Sequence, residues 1–202
     1  MGRGAGDCAA LVTLVGNLVW TGEFDEGERW LQRTRQALQT DTGPDIRQLL
    51  HLATGRLYAG RGRHHEALEE LSAAERLQSQ LEGSHAQASQ MTGWMLATQA
   101  RAGLPGEARA RLAALDEQEA RSGEVHNADA VICLAEGEPA AALSALASVL
   151  DGTAPVKDYA TVMEAHLLAG LAHRQLGDQR ARTGPPNMHS LSPSKTGWCC
   201  RS

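Results

Sequence analysis

Aromatic residues, lysine and cysteine are all scarce in this sequence of 202 residues. One Phe, two Tyr and four Trp make up 3% of the chain, too few for the aromatic-rich strands of a β-sandwich and for stacking nucleic-acid bases. Because the net charge is −5, the chain has no basic field to attract a phosphate backbone. The composition therefore favours an all-α fold, and we expect no direct nucleic-acid binding.

The four cysteines are too scattered for a disulfide framework, which favours a reducing, cytoplasmic environment. They are Cys8, Cys133, Cys199 and Cys200. The apolar stretch 9–20 contains Gly16 and Asn17 and is too short to span a bilayer, so it is interpreted as a buried helix rather than a secretion signal. We expect no membrane partner.

Catalytic and cofactor-binding motifs are also missing. No phosphate-binding loop occurs, and Lys157 and Lys195 are the only lysines. Neither a DNA-reading helix-turn-helix module nor a Ser/His/Asp or Cys/His arrangement can be recognised. We therefore expect no enzyme activity and no cofactor, and a helical-bundle enzyme is kept only as a third alternative.

Two histidine groupings are the nearest approach to a metal site. His64 and His65 precede Glu66, and His166 lies seven residues before His173. Histidines that share a metal on a helix are usually spaced i and i+4, with further ligands converging from elsewhere. These histidines are interpreted as solvated or interhelical side chains, and no metal is predicted.

What the sequence does contain is an internal repeat. The clearest copy spans residues 52–74, where Gly55 and Tyr58 share one helix face and Gly62 follows as a turn. Small residues let two helix backbones approach, and glycine permits the tight turn between them. In the next helix Ala67, Leu71 and Ala74 recur at helical spacing. The segment is therefore predicted to be a helix hairpin.

Glycines at 22, 62, 103, 137 and 177 recur every 34 to 41 residues, and each is predicted to open the turn of one hairpin. Pro105 and Pro139 lie two residues after such a glycine, where the first turn of a helix tolerates proline. Pro44 and Pro155 lie in predicted links between hairpins. The predicted helices are 7–20, 24–40, 45–60, 63–82, 85–102, 105–121, 124–136, 139–150 and 157–176.

This pattern of a small residue, a large residue, a glycine turn and Ala-Leu-Ala resembles the tetratricopeptide repeat, whose minimal unit has about 34 residues. A looser period near 40 is similar to the repeat regions of LuxR/MalT-type bacterial transcriptional regulators. The resemblance implies a right-handed solenoid over residues 1–181, with about five hairpins of which the last is incomplete. The ATPase-like and helix-turn-helix functions of such regulators would be encoded in flanking domains.

In this repeat class the first helix of each hairpin forms the inner surface of the solenoid. The resemblance implies that this groove binds a protein, a peptide or a small effector. The polar residues expected to project into it are Arg56, Gln90, Arg101, Asn127, Glu164 and Arg174. The alternative reading of each is an ordinary exposed polar side chain.

The chain changes character from Arg182 onward. Pro185 and Pro186 fall where a second helix should pair with helix 157–176. Read in a shifted frame, residues 183–201 can encode RAAEHALALAEQDRLVLP, an amphipathic helix followed by an apolar segment. We expect residues 182–202 to be disordered and hypothesise that they are an out-of-frame tail on a fragment of a longer regulator. An ordinary disordered terminus is the alternative.

The sequence therefore predicts a non-catalytic interaction or effector-sensing region derived from a LuxR/MalT-type regulator. A free-standing tetratricopeptide-like adaptor that binds a peptide or partner protein is the alternative. Because helix 157–176 lacks a following helix, its apolar residues are also predicted to support self-association.

Overall fold

The structure is a computed structural model that describes residues 3–37, 43–79 and 88–183, with side chains described for residues 10–37, 43–79 and 88–177. Every regular element within these ranges is a helix, which confirms the predicted all-α class for this part of the chain. The helices are α1 (Arg3–Thr21), α2 (Phe24–Ala37), α3 (Pro44–Gly60), α4 (His64–Gln78), α5 (Ala88–Arg101), α6 (Pro105–Ala113), α7 (Glu117–Ala120), α8 (Gly123–Ala135), α9 (Pro139–Leu150) and α10 (Tyr159–Thr183).

Four of the five predicted turn glycines share one backbone conformation. Gly22, Gly62, Gly103 and Gly137 have φ values from 77° to 84°, in the left-handed region that favours glycine. The residue after each glycine donates its backbone N–H to the carbonyl five residues earlier, at 2.8 to 3.0 Å. This is the hydrogen bond of a Schellman cap, and it reverses the chain between α1 and α2, α3 and α4, α5 and α6, and α8 and α9.

The prediction of a fifth turn, at Gly177, is wrong. Helix α10 continues through this residue to Thr183, and the backbone at Gly177 is helical. A glycine inside a helix costs about 1 kcal/mol relative to alanine, which neighbouring helix formers can offset. The predicted helix 157–176 is therefore longer than expected. Residues 182 and 183, which were predicted to belong to a disordered tail, are the last two residues of α10. The rest of the predicted out-of-frame tail, from residue 184 onward, lies outside the described residues.

A second difference lies between residues 105 and 121, where one helix was predicted and two are present. Helix α6 ends at Ala113, and the side chain of Asp116 accepts a hydrogen bond of 2.8 Å from the backbone N–H of Glu119. An aspartate in this position caps the start of a new helix, here the single turn α7. A single helical turn is too short to show a helical period in the sequence, so α7 was not predicted as a separate element.

Close packing in the hairpin of α3 and α4 agrees with the residue types of the repeat. Ala67 is fully buried, and Leu71 is 1% exposed. A Cβ added to Gly55 would lie 2.9 Å from Cγ of Leu71, so only glycine fits between these helices without a shift. The small residues therefore allow the approach that the sequence predicts.

The first helices of the successive pairs contact one another in chain order. Helix α1 packs on α3, α3 touches α5, α5 packs on α8 and α8 packs on α10. One apolar cluster joins α1, α2 and α3, a second joins α3, α4 and α5, and a third runs from α5 to α10. A cavity opens where the first helices meet.

Helix α10 carries apolar residues on two faces. Ala165, Leu168 and Ala172 are buried against the third cluster. On another face, spaced four residues apart, Tyr159, Met163, Leu167 and Leu171 are 39% to 76% exposed, and we call these four residues the α10 stripe. No described helix is long and apolar enough to cross a membrane.

Candidate functional site

A cavity of about 290 Å³ lies between α1, α3, α5, α8 and α10. Its volume is near the lower end of the range found for small-molecule sites. Five of the six polar residues predicted from the sequence line this cavity, and they come from four helices. They are Arg56 on α3, Gln90 and Arg101 on α5, Asn127 on α8 and Glu164 on α10.

Arg174, the sixth predicted residue, is exposed and does not line the cavity. It lies ten residues after Glu164 on the same helix, which corresponds to about 15 Å along the axis. Arg174 therefore lies outside this cavity, and its place on a longer inner groove stays a prediction.

The guanidinium of Arg56 is held between two helices. Its Cζ atom lies 4.3 Å from the ring centroid of Trp94, a cation–π contact. On the α1 side, a Cβ added to Gly16 would lie 2.8 Å from the same atom. Burial lowers the pKa of Arg56, and the carboxylates of Asp158 and Glu164 oppose this effect. The arginine thus supplies a fixed positive charge to the wall.

Polar groups on α5 reach across to the start of α10. Nε2 of Gln90 donates a hydrogen bond of 3.0 Å to Oδ2 of Asp158. Nη2 of Arg101 lies 3.6 Å from Oε1 of Glu164, an ion pair with partly exposed side chains. These contacts connect the two sides of the cavity.

Asn127 is 2% exposed and joins α8 to α10. Its Nδ2 donates to the backbone carbonyl of Thr161 at 2.8 Å and to Oε2 of Glu164 at 3.3 Å. Because both partners are acceptors, a flipped amide would set oxygen against oxygen. The orientation of the amide is therefore determined by its network, and Oδ1 is the free end.

Glu124, one turn before Asn127 on α8, is the most important residue that the sequence did not predict. It is 7% exposed, and its Oε1 accepts hydrogen bonds from the backbone N–H of Lys157 at 2.7 Å and from the hydroxyl of Thr161 at 3.1 Å. Glu124 is the first residue of the predicted helix 124–136, and acidic residues in the first turn of a helix are usually exposed to solvent. The segment before α10, which covers it, has no pattern that predicts this contact.

Two oxygen atoms of the cavity residues have no hydrogen-bond partner. They are Oε2 of Glu124 and Oδ1 of Asn127, and both are buried. Buried polar atoms without a partner are costly. Of the five such atoms among the described residues, these two are the ones on residues that line the cavity.

Among the described residues, no histidine or cysteine lines the cavity. Burial, together with Arg101 and His65, lowers the pKa of His64. Burial raises the pKa of the Cys133 thiol, to which Arg109 donates a hydrogen bond of 3.3 Å. In the portion of the chain that the structure describes, no three His, Cys, Asp or Glu side chains are grouped so that they could hold a metal ion.

Comparison with protein-family models, with curated proteins and with solved structures finds no match to this chain. Its function is therefore argued from the cavity and from the arrangement of helices around it.

Proposed function

We propose that this chain is a non-catalytic, tetratricopeptide-like repeat region that senses a small effector in the cavity between α3, α5, α8 and α10. The region would form a right-handed solenoid of the kind present in LuxR/MalT-type transcriptional regulators. The observation that carries the proposal is the convergence of polar residues from successive first helices on one cavity.

The equivalence of the four hairpin turns supports the repeat. Each turn has a glycine in the same left-handed conformation and the same hydrogen bond across it. The first helices contact one another in chain order, as stacked repeats do. In such a stack each hairpin presents its first helix to a common surface, which explains why residues far apart in sequence meet here.

The size and composition of the cavity support a small effector. Its walls combine two arginines, three carboxylates and two amides with the rings of Trp20 and Trp94. A wall that combines apolar and aromatic surface with convergent polar groups is typical of sites that orient a small ligand. We propose that these residues bind and orient, and that no covalent step occurs.

The alternative is an adaptor that binds an extended peptide. A panel of amines, carboxylates, polyols and short peptides, screened by ligand-observed NMR against the full chain, separates the two. Small-molecule hits support the effector reading, whereas hits confined to peptides support the adaptor. The surrounding DNA is a further test, since the regulator reading expects an ATPase-like segment upstream and a helix-turn-helix segment downstream.

A matched pair of charge reversals tests whether hits use the cavity. Arg101→Glu changes a cavity residue, whereas Arg174→Glu makes the same change at an exposed position outside it. We expect the first to change the affinity for the hits by about tenfold or more, weakening anions and strengthening cations, and the second to leave it intact, with equal helicity by circular dichroism. Equal effects of the two variants would contradict the proposal.

A further inference from the structure

The unpartnered oxygens of the cavity are both acceptors. Oε2 of Glu124 and Oδ1 of Asn127 lie on side chains one turn apart on α8, and both side chains line the cavity. A carboxylate and the oxygen end of an amide can each accept a hydrogen bond but cannot donate one. The groups that would complete this part of the site are therefore donors, and at least two are needed.

The carboxylate of Glu124 also lacks a counter-charge. Its other oxygen is held by a backbone N–H and a hydroxyl, and no described Lys, Arg or His makes an ion pair with it. The two arginines of the cavity are otherwise engaged, since Arg101 pairs with Glu164 and Arg56 stacks on Trp94. A buried carboxylate without a cation is costly, so this position favours a positively charged ligand.

We infer that the cavity binds an organic ammonium ion whose N–H groups donate to Oε2 of Glu124 and Oδ1 of Asn127. This inference rests on the proposed function and deepens it by naming the class of effector. An ammonium group carries three donors and a full charge, so a single group brings both the donors and the counter-charge that these two side chains lack.

Competing occupants satisfy fewer of these requirements. A water molecule or a neutral hydroxyl can donate hydrogen bonds but leaves the charge of Glu124 without a partner. A metal ion would need further ligands, and the described residues offer no cluster of three. An anion would face Glu124, Asp158 and Glu164 across a cavity in which carboxylates outnumber guanidiniums.

The rest of the wall fits the carbon portion of such a ligand. Gly93, which has no side chain, and the small residues Ala97 and Ala128 line the cavity and leave room for a short aliphatic chain. The ring of Trp20 lies at the border of the same cavity and is 42% exposed. An aromatic face in this position favours a cation near it.

Three probes of similar size separate charge from hydrogen bonding in titration calorimetry of the full chain at pH 7. n-Butylammonium has both the charge and the donors, n-butanol has a donor without the charge, and tetramethylammonium has the charge without N–H groups. We expect a millimolar Kd for n-butylammonium and binding weaker by about tenfold or more for the other two. Equal affinity of n-butanol and n-butylammonium would overturn the inference, and this comparison needs no variant.

A charge-matched pair of variants then places the ammonium at Glu124. Glu124→Gln keeps an oxygen for the bonds from Lys157 and Thr161 and removes the charge, so we expect an unchanged or raised melting temperature and about tenfold weaker binding of n-butylammonium. Glu138→Gln makes the same change at an exposed position outside the cavity and should alter the affinity less than twofold. Wild-type affinity in Glu124→Gln would overturn the assignment.

The failure of this inference can be told apart from failure of the proposed function. If n-butylammonium does not bind but a carboxylate or polyol binds in a manner sensitive to Arg101→Glu, the ammonium class is wrong and the effector site stands. If neither these probes nor any member of the wider panel binds the cavity, both proposals are wrong.

Discussion

Two surfaces of this molecule depart from the usual distribution of polar and apolar groups, in opposite directions. In the cavity, the polar side chains of Glu124 and Asn127 are buried with one oxygen each left unpartnered. On the α10 stripe, large apolar side chains such as Met163 and Leu167 are exposed to solvent. Buried polar groups and exposed apolar patches are the departures that carry information about binding.

The difference between them concerns the kind of partner each surface can accept. The cavity is small, concave and lined by paired charges, so it suits a ligand that brings its own donors. The α10 stripe extends along more than three helical turns and offers no enclosing wall, so it suits another helix or a second protein surface. The cavity forms only when several helices pack together, whereas the α10 stripe lies on a single helix whose other face is buried.

The largest expected effect compares a glycine of the cavity with an exposed glycine of α10. A Cβ added to Gly93 would lie 2.7 Å from the backbone carbonyl oxygen of Glu124, whereas a Cβ added to Gly170 on α10 meets no atom within 4 Å. Gly93→Ala should push α5 from α8 and lower the free energy of unfolding by about 3 kcal/mol. Gly170→Ala should be neutral or stabilising by about 0.5–1 kcal/mol. Urea denaturation measures both, and similar effects would contradict the packing described.

The next effect compares adjacent leucines on α10. Leu168 is 5% exposed and packs on the third apolar cluster, whereas Leu167 is 58% exposed. Leu168→Ala should cost about 2 kcal/mol, and Leu167→Ala should change the free energy of unfolding by less than about 0.5 kcal/mol. A large loss in Leu167→Ala, measured in the same denaturant series, would mean that the stripe is covered in the monomer.

The self-association predicted from the sequence can be tested on the α10 stripe. If two copies pair through it, Leu167→Glu should weaken the dimer by about tenfold, or about 1.4 kcal/mol, in sedimentation equilibrium. Ala140→Glu, at an exposed position of α9, is the matched control and should leave association unchanged. A wild-type chain that stays monomeric at high concentration would remove this prediction and leave the stripe for a different partner.

The smallest effect is a dependence of stability on pH at His64, a residue outside the cavity lining. Burial lowers the pKa of His64 below its ordinary value of 6.5, so the unfolded chain binds more protons than the folded one just below that pH. The free energy of unfolding should therefore fall as pH drops through this window, and His64→Asn should reduce the fall. His173→Asn, on the exposed side of α10, is the control. An identical pH profile in wild type and His64→Asn would contradict the burial argument.

Much of the helix order could be predicted because it depends on local chemistry. Glycine is needed where the chain turns with a positive φ, and this requirement is visible at Gly62 and its three equivalents. The same reasoning failed at Gly177, where the spacing from Gly170 imitates that between Gly55 and Gly62. Local spacing cannot tell a turn from a helix that simply continues.

The cavity could be predicted only in part, for a geometric reason. Helical phase indicated that Arg56, Asn127 and Glu164 share an inner face, and all three line the cavity. The contacts of Glu124 could not be predicted, because they depend on how the irregular segment before α10 folds back onto α8. There the backbone N–H of Gly123 donates to the carbonyl of Pro155 at 2.8 Å, a contact with no sequence pattern.

The most direct test of the account is a titration of the ¹⁵N-labelled full chain with n-butylammonium, followed by proton–nitrogen correlation NMR. The account predicts that the largest shifts occur at the amides of Gly93, Ala97 and Asn127, which surround the cavity, and that Leu167 and Leu171 on the α10 stripe are unaffected. Shifts concentrated on the α10 stripe, with the amides of α5 and α8 unchanged, would contradict the claim that the cavity is the binding site.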